Sequence, residues 1–184
     1  MGTKKALIIT DMQYDMCDGG TMANINSLKI IPKINNVHDD YDLVIFITKS
    51  YPDNHASFKQ FGGKHLKHCV ENEFGSKMHN DLIVKPSDII ISRCTLQKFD
   101  SNSVFYDAES IEKQTKLKYF LELHKINQLY FCGNNMDIVI FSTIMDAINF
   151  KINCFVISDA IGYYNKGKCE ESIEFLKKLN VTFL

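Results

Sequence analysis

Residues 6–20 read ALIITDMQYDMCDGG, and the first five of them form an apolar run that ends at an acidic residue, Asp11. An apolar run without alternation is typical of a strand buried on both faces, as in parallel sheets covered by helices. Five further short runs rich in Ile, Val, Leu and Phe follow, at residues 43–48, 89–91, 129–132, 154–157 and 181–184. We therefore predict a three-layer, doubly wound α/β fold with a central, mainly parallel, six-stranded sheet.

The segments between these runs have helical periodicity. Apolar residues from Ile111 to Leu123 share one stripe of a predicted helix that begins near Asp107, because acidic side chains suit a helix N-terminus. Residues 138–150 and 169–179 show the same period. The exception is the region 50–86, which contains four of the six histidines. Irregular regions of this length in compact domains usually serve function.

The composition is that of an ordinary soluble protein. A chain of 184 residues predicts one domain, residues 1–184, and 45% hydrophobic with 23% charged residues lies in the globular range. A formal net charge of -1 provides no positive field, so no nucleic-acid partner is expected. The first apolar run is too short for a signal peptide, which indicates a cytoplasmic protein without a membrane segment. The six cysteines form no Cys-x-x-Cys pair and are interpreted as free thiols.

Polar residues end several of the predicted strands. In open parallel sheets, ligands bind outside the carboxyl ends of the strands. Those ends carry Asp11, Lys49, Arg93 and the turn that contains Asn134 and Asn135. An acid, two bases and a turn that opens a helix predict an active-site ring at this edge of the sheet.

The order of these residues resembles a known family. Residues 6–20 are similar to the nicotinamidase opening, an apolar strand followed by D-M-Q-N-D-F-C-x-G-G, within the isochorismatase-like hydrolases. Further matches follow in family order at residues 52–58, 68–70, 100–105, 132–137, 146–147 and 158–160. The resemblance covers nearly the whole chain, so the chain is identified as a member of that family, nearest its nicotinamidase and pyrazinamidase branch.

The resemblance implies a catalytic triad of Asp, Lys and a nucleophilic Cys, and two of its positions are changed here. The aspartate position is Asp11, the lysine position is Arg93, and the cysteine position is Val139. A valine has no proton to give and no lone pair with which to attack, so a thioester cannot form there. Arginine keeps the positive charge but cannot deliver a proton. We therefore predict an inactive site in which Asp11 is either a residual base or the ion-pair partner of Arg93.

The family's metal site is also altered. The resemblance implies a divalent ion held by a D-x-H pair and later histidines, but the matching residues are Lys49 and Tyr51. The residual histidine positions are His55 and His68. Two histidines are a poor site for an ion that takes at least three protein ligands, and Lys49 would repel it. No metal or other cofactor is expected.

Six further residues are predicted to line a pocket for a small aromatic amide or acid such as nicotinamide. They are Gln13, Met16, Tyr51, Phe58, Asn134 and Asn135. For Phe58, as for Phe61 and Phe99, core packing of the region 50–86 is an equal alternative. The resemblance also implies a homo-oligomer.

Three hypotheses about function follow. The first is a catalytically inactive family member that keeps a small-molecule pocket or serves assembly. The second is an active cysteine amidohydrolase of nicotinamide-like C-N amides, using Asp11 and a relocated thiol, Cys94 or Cys132. The third is a pure interaction protein, which would have no pocket large enough for a ring.

Overall fold

The sheet predicted from the sequence is present. The computed structural model describes residues 2–108 and 113–184. Its strands are β1 (Lys5–Thr10), β2 (Leu43–Lys49), β3 (Ile89–Arg93), β4 (Tyr106–Ala108), β5 (Lys113–Gln114), β6 (Gln128–Gly133), β7 (Asn153–Ile161) and β8 (Thr182–Phe183). Six of them form one all-parallel sheet in the order β3-β2-β1-β6-β7-β8, which confirms the predicted α/β class.

Strand β1 is apolar throughout because both of its faces are covered. Ala6 and Ile8 pack into the core on one face, and Leu7 and Ile9 pack into the core on the other. All four side chains are fully buried. This two-sided burial explains why the strand lacks alternation between polar and apolar residues.

Four α-helices cover the sheet. They are α1 (Ser27–Val37), α2 (Leu117–Leu123), α3 (Phe141–Asn149) and α4 (Lys166–Lys178). Apolar residues of α1 pack on the face of Leu7 and Ile9, and those of the other three helices pack on the face of Ala6 and Ile8. The sheet is therefore the middle of three layers, as expected.

The helix predicted from Asp107 onward begins ten residues later than expected. Residues 106–108 instead form β4, which pairs with β5 in an antiparallel hairpin. The Asp107 carboxylate does not cap a helix, because it accepts hydrogen bonds from the Thr95 N–H at 2.8 Å and the Thr95 hydroxyl at 2.7 Å. The Thr115 hydroxyl accepts from the Leu117 N–H at 3.2 Å, where α2 begins. Ile111, assigned to the same stripe, lies outside the described residues.

The strand order reverses beside β1. The chain runs from β1 to β2 and β3 on one side, and β6, β7 and β8 lie on the other side. The ends of β1 and β6 therefore form the crevice in which doubly wound proteins bind ligands. Gly133 ends β6 with φ +99°, and a Cβ there would lie 2.4 Å from the Thr10 carbonyl oxygen. Only glycine allows this close approach of the two strands.

The region 50–86 lies over this end of the sheet. It contains 3-10 turns at Lys59–Phe61 and Phe74–Ser76 and isolated bridges between Tyr51 and Val70 and between Phe58 and His65. Within residues 2–108 and 113–184, none of the helices has the length and apolar character needed to cross a membrane.

Asp137 ties the exit of β6 to the start of α4, which leads to a prediction. Its carboxylate accepts the N–H groups of Tyr164 at 3.0 Å and Asn165 at 2.9 Å. Because hydrogen bonds to a charged acceptor contribute about 1.5–3 kcal/mol each, Asp137→Ala should lower the free energy of unfolding by about 2 kcal/mol or more, measured by urea denaturation. The control Asp159→Ala removes an exposed ion pair with Lys33 and should change it by less than about 1 kcal/mol. Equal effects of the two substitutions would contradict this role.

Candidate active site

Asp11 follows β1 directly and turns its carboxylate into the protein. Its backbone is left-handed, with φ +50°, and its N–H donates to the Ile47 carbonyl at 2.9 Å. The residue is fully buried. Cys69 and Cys94 are also left-handed, with φ +47° and +61°. Such conformations cost about 1–3 kcal/mol in non-glycine residues and tend to cluster at functional sites.

Arg93 ends β3 and is the partner of Asp11. Its Nη2 donates to Asp11 Oδ2 at 2.6 Å, and both side chains are fully buried. The ion pair expected from the sequence is therefore present. Nη1 donates to the carbonyl of Ser101 and lies 3.4 Å from Cys94 Sγ. Burial, the largest single effect, lowers the pKa of Arg93, but Asp11 first, and then Cys94, Tyr51 and Asp100, together raise it above its ordinary value.

Val139 lies across the crevice in a π-helical turn, Met136–Ile140. Its N–H donates to Asn135 Oδ1 at 3.0 Å, and its carbonyl accepts from the Thr143 hydroxyl at 2.7 Å. The side chain is buried in the apolar core on the α3 side of the sheet. The residue at the predicted nucleophile position thus contributes an isopropyl group and no reactive atom.

Asn134 and Asn135 are buried between these elements. The Asn134 amide donates to the carbonyls of Asp11 and Met16, each at 3.3 Å. Among the described residues, four buried side-chain atoms of Asp11, Arg93 and these two asparagines have no hydrogen-bond partner within the protein: Asp11 Oδ1, Arg93 Nε, Asn134 Oδ1 and Asn135 Nδ2. They comprise two acceptors and two donors, because Nε and Nδ2 carry protons.

Gln13 and Met16 hold the first loop against the site. Gln13 Nε2 donates to the Lys49 carbonyl at 2.8 Å, and Gln13 Oε1 accepts from the Lys49 N–H at 2.8 Å. Met16 is fully buried and packs with Tyr51 and Phe58. Both residues predicted for the pocket therefore lie at the crevice, with Gln13 fixing the end of β2.

Tyr51 is the centre of an aromatic cluster. Its ring centroid lies 4.6 Å from that of His55, 5.0 Å from that of His68 and 5.4 Å from that of Phe58. Its hydroxyl donates to Asp100 Oδ2 at 2.8 Å. Burial, together with the charge of Asp100, raises the pKa of Tyr51 well above its ordinary value, so the phenol stays protonated.

Comparison with known proteins assigns the family. The model of the isochorismatase domain matches residues 5–184. The chain belongs to the isochorismatase family. It is 29% identical to the nicotinamidase of Acinetobacter baylyi over 171 residues, which cover 84% of this chain and 79% of that protein. It is 27% identical to the nicotinamidase of Escherichia coli over 174 residues, which cover 84% and 81%.

Solved structures of similar proteins support the same family assignment. The pyrazinamidase of Pyrococcus horikoshii in complex with zinc superposes with a TM-score of 0.88 at 26% identity and 98% coverage of both chains. PnC1 from L. infantum in complex with nicotinate superposes with a TM-score of 0.92 at 26% identity, covering 99% of this chain and 92% of that one. The resemblance to the nicotinamidase branch predicted from the sequence is confirmed.

The residues at the family's metal position do not fit an ion in this isochorismatase-family chain. His55 uses both ring nitrogens, since Nδ1 lies 2.7 Å from the Ser57 hydroxyl and Nε2 lies 3.2 Å from the Phe99 carbonyl. His68 Nδ1 is 2.8 Å from the Leu66 carbonyl, so only its Nε2 is left. Within residues 2–108 and 113–184, no three His, Cys, Asp or Glu side chains form a group that could hold a metal.

All six cysteines are free and buried. Cys94 Sγ donates to Asp100 Oδ1 at 2.9 Å, and burial raises the pKa of its thiol to about 12. Cys132 packs on the α1 side of the sheet, opposite the face of Val139, and burial raises its pKa also. The pKa values of the other four thiols are raised too, chiefly by burial. No thiol therefore has the lowered pKa of a nucleophile.

Two residues of the site, Asp100 and Tyr164, were not predicted from the sequence. Asp100 had a signal, because it begins one of the motifs that match the family, but its role as acceptor for Tyr51 and Cys94 depends on folding. Tyr164 had no signal. Its hydroxyl lies 3.7 Å from Met16 Sδ, and burial followed by the charge of Asp11 raises its pKa.

The buried ion pair should dominate stability at this site. Removing one partner leaves an unpaired charge, so Asp11→Leu and Arg93→Met should each lower the free energy of unfolding by about 3–5 kcal/mol, measured by urea denaturation. The double variant should lose clearly less free energy of unfolding than the two single variants lose together. Arg93→Lys keeps a charge opposite Asp11 and replaces Arg93→Met in this experiment if Arg93→Met does not fold.

The control is the exposed ion pair of Lys33 and Asp159, at 3.0 Å, whose double-mutant coupling energy should be less than about 1 kcal/mol. Additive losses at Asp11 and Arg93 would contradict the pairing.

His68 should make the protein less stable in mild acid. Burial first, and then the charge of Lys49, lowers its pKa from 6.5 to about 4. Between these values the unfolded chain binds the proton and the folded protein does not, so stability is lost as pH falls from 6.5 toward 4. His68→Phe should reduce the fall in unfolding free energy by up to about 3 kcal/mol across this window. The exposed His124→Gln is the control, and an unchanged slope in His68→Phe would refute the assignment.

Proposed function

We propose that this isochorismatase-family chain does not catalyse hydrolysis and instead keeps a site for a small aromatic amide or acid. The observation that carries the proposal is the absence of a usable nucleophile among the described residues. Val139 stands at the predicted cysteine position, and all six thiols are buried with raised pKa values. Loss of a nucleophile typically costs about a millionfold in turnover.

The ion pair also supports the proposal. A general base must be able to accept a proton from the reacting group. Asp11 Oδ2 instead accepts a hydrogen bond from the Arg93 guanidinium at 2.6 Å, so this oxygen is already engaged. Arg93 in turn cannot act as an acid, because its pKa is raised further by Asp11. The two residues are thus better suited to hold the crevice together than to move protons.

The unpartnered polar atoms favour a bound ligand. Asp11 Oδ1 and Asn134 Oδ1 accept hydrogen bonds, whereas Arg93 Nε and Asn135 Nδ2 donate them. A carboxamide offers both donors and an acceptor, and a carboxylic acid offers acceptors. PnC1 from L. infantum was solved in complex with nicotinate, which supports this ligand class for the present chain. Tyr51 and Phe58 supply the apolar surface that a flat ring needs.

Entry to the crevice requires movement of its outer side chains. Met16, Tyr51 and Phe58 are all no more than 1% exposed. Met22 and Tyr164 pack on this cluster and are only partly buried. We propose that they move aside to admit the ligand, whereas an interaction protein without a pocket would keep them closed. Cytoplasmic location, a homo-oligomeric state and lack of nucleic-acid binding belong to the same proposal.

An assay of nicotinamide deamidation tests the proposal. Purified protein should release ammonia from nicotinamide no faster than buffer, and about a millionfold more slowly than an active nicotinamidase assayed in parallel. The Asp11→Asn variant should give the same background rate. Clear turnover by the wild-type chain that Asp11→Asn abolishes would overturn the proposal.

Thiol labelling separates the proposal from the active-hydrolase alternative. If a relocated cysteine served as nucleophile, Cys94 or Cys132 would react with a chromogenic disulfide reagent much faster than the other thiols. Because every thiol is buried and protonated, we expect slow labelling of the native protein and rapid labelling of all six cysteines in urea. One fast thiol, lost in Cys94→Ser or Cys132→Ser together with turnover, would favour the alternative.

A further inference from the structure

Lys49 leaves the sheet from a fixed point beside the crevice. It is the last residue of β2, and the Gln13 side chain binds both its N–H and its carbonyl at 2.8 Å. Gln13 is itself fully buried. The backbone of Lys49 therefore cannot shift without breaking both hydrogen bonds, and only its flexible side chain is free to move.

The Lys49 ammonium lies at the mouth of the crevice. Its Nζ is 5.9 Å from the centroid of the Tyr51 ring. Burial is the largest cause that lowers the pKa values of His65 and His68, and the charge of Lys49 is the second. The residue is only half-buried, and His65 is exposed. An ammonium thus lies in the space between the Tyr51 cluster and solvent.

This ammonium has no ion-pair partner within 4.0 Å among the described residues. Asp100 is the nearby acid, and although burial would raise its pKa, the charge of Lys49 is the first of several effects that lower it. The described hydrogen bonds to its carboxylate come from other groups and not from the Lys49 ammonium. Oδ2 accepts from Tyr51, and Oδ1 accepts from the Cys94 thiol and the Ser101 N–H. The three N–H donors of Lys49 are therefore available to a ligand.

We infer that Lys49 makes the mouth of this site selective for a small aromatic carboxylate over the corresponding neutral amide and over a metal ion. The inference rests on the proposed ligand-binding function and specifies its ligand class. A carboxylate would accept hydrogen bonds from the Lys49 ammonium while its ring lies against Tyr51 and the exposed face of Phe99. A metal ion would meet the repulsion of the same ammonium and the occupied nitrogens of His55.

Calorimetric titration with nicotinate and nicotinamide at pH 7 tests the inference, because the probes differ mainly in charge. Wild-type protein should bind nicotinate at least about tenfold more tightly than nicotinamide. Lys49→Gln should remove that preference by weakening nicotinate binding alone, whereas Lys49→Arg should retain it. Lys64→Gln removes an equally charged, exposed lysine from the region 50–86 that follows β2 and should change either affinity by less than about twofold.

The outcomes separate the inference from the proposed function. Equal affinities for the two probes in the wild type, or an unchanged preference in Lys49→Gln, would overturn carboxylate selectivity and leave the inactive-site proposal standing. Failure of both probes to bind would overturn the inference together with the proposed ligand site. Failure of the inactive-site proposal would appear separately, as turnover of nicotinamide. Stoichiometric zinc in wild-type protein that His68→Ala removes would contradict the exclusion of metal.

Discussion

The buried ion pair between Asp11 and Arg93 is the constraint on which the rest of the site depends. It joins the ends of β1 and β3 over the end of β2, which lies between them in the sheet. Moving each charge out of water costs several kcal/mol, and only the opposite charge and further hydrogen bonds offset that cost. Arg93 therefore also binds the Ser101 carbonyl, which draws the loop after β3 over the crevice.

A second carboxylate, that of Asp100, is also held by several neighbouring groups. Burial of the Asp100 carboxylate would raise its pKa, but Lys49, Cys94 and Arg93 together hold that pKa below its ordinary value. The residue as a whole is exposed. Its carboxylate in turn accepts from Tyr51 and Cys94. This network satisfies the phenol, the thiol and the carboxylate with one another. The hydrogen-bonding groups of these three side chains are thus used within the protein.

Sequence patterns predicted those features that local chemistry determines. Two-sided apolar runs located the six sheet strands, and the carboxyl ends of β1 and β3 predicted the meeting of Asp11 and Arg93. Long-range contacts decided what the patterns could not show. Asp107 suits a helix start, yet it binds Thr95, which the fold brings to it from the end of β3. The occupation of both His55 nitrogens likewise depends on Phe99, 44 residues away.

The energetically unfavourable groups of the described chain are concentrated on a few residues of the site. Four of the five unpartnered buried polar atoms in the described chain lie on Asp11, Arg93, Asn134 and Asn135. Each such atom costs about 1–3 kcal/mol, and the left-handed backbones of Asp11 and Cys94 add strain at the same place. A surface used only for assembly would gain nothing from these costs, because apolar side chains of similar size would pack there more stably. The unpartnered donors and acceptors at the switch point of the sheet are therefore the cost that the proposed ligand would offset.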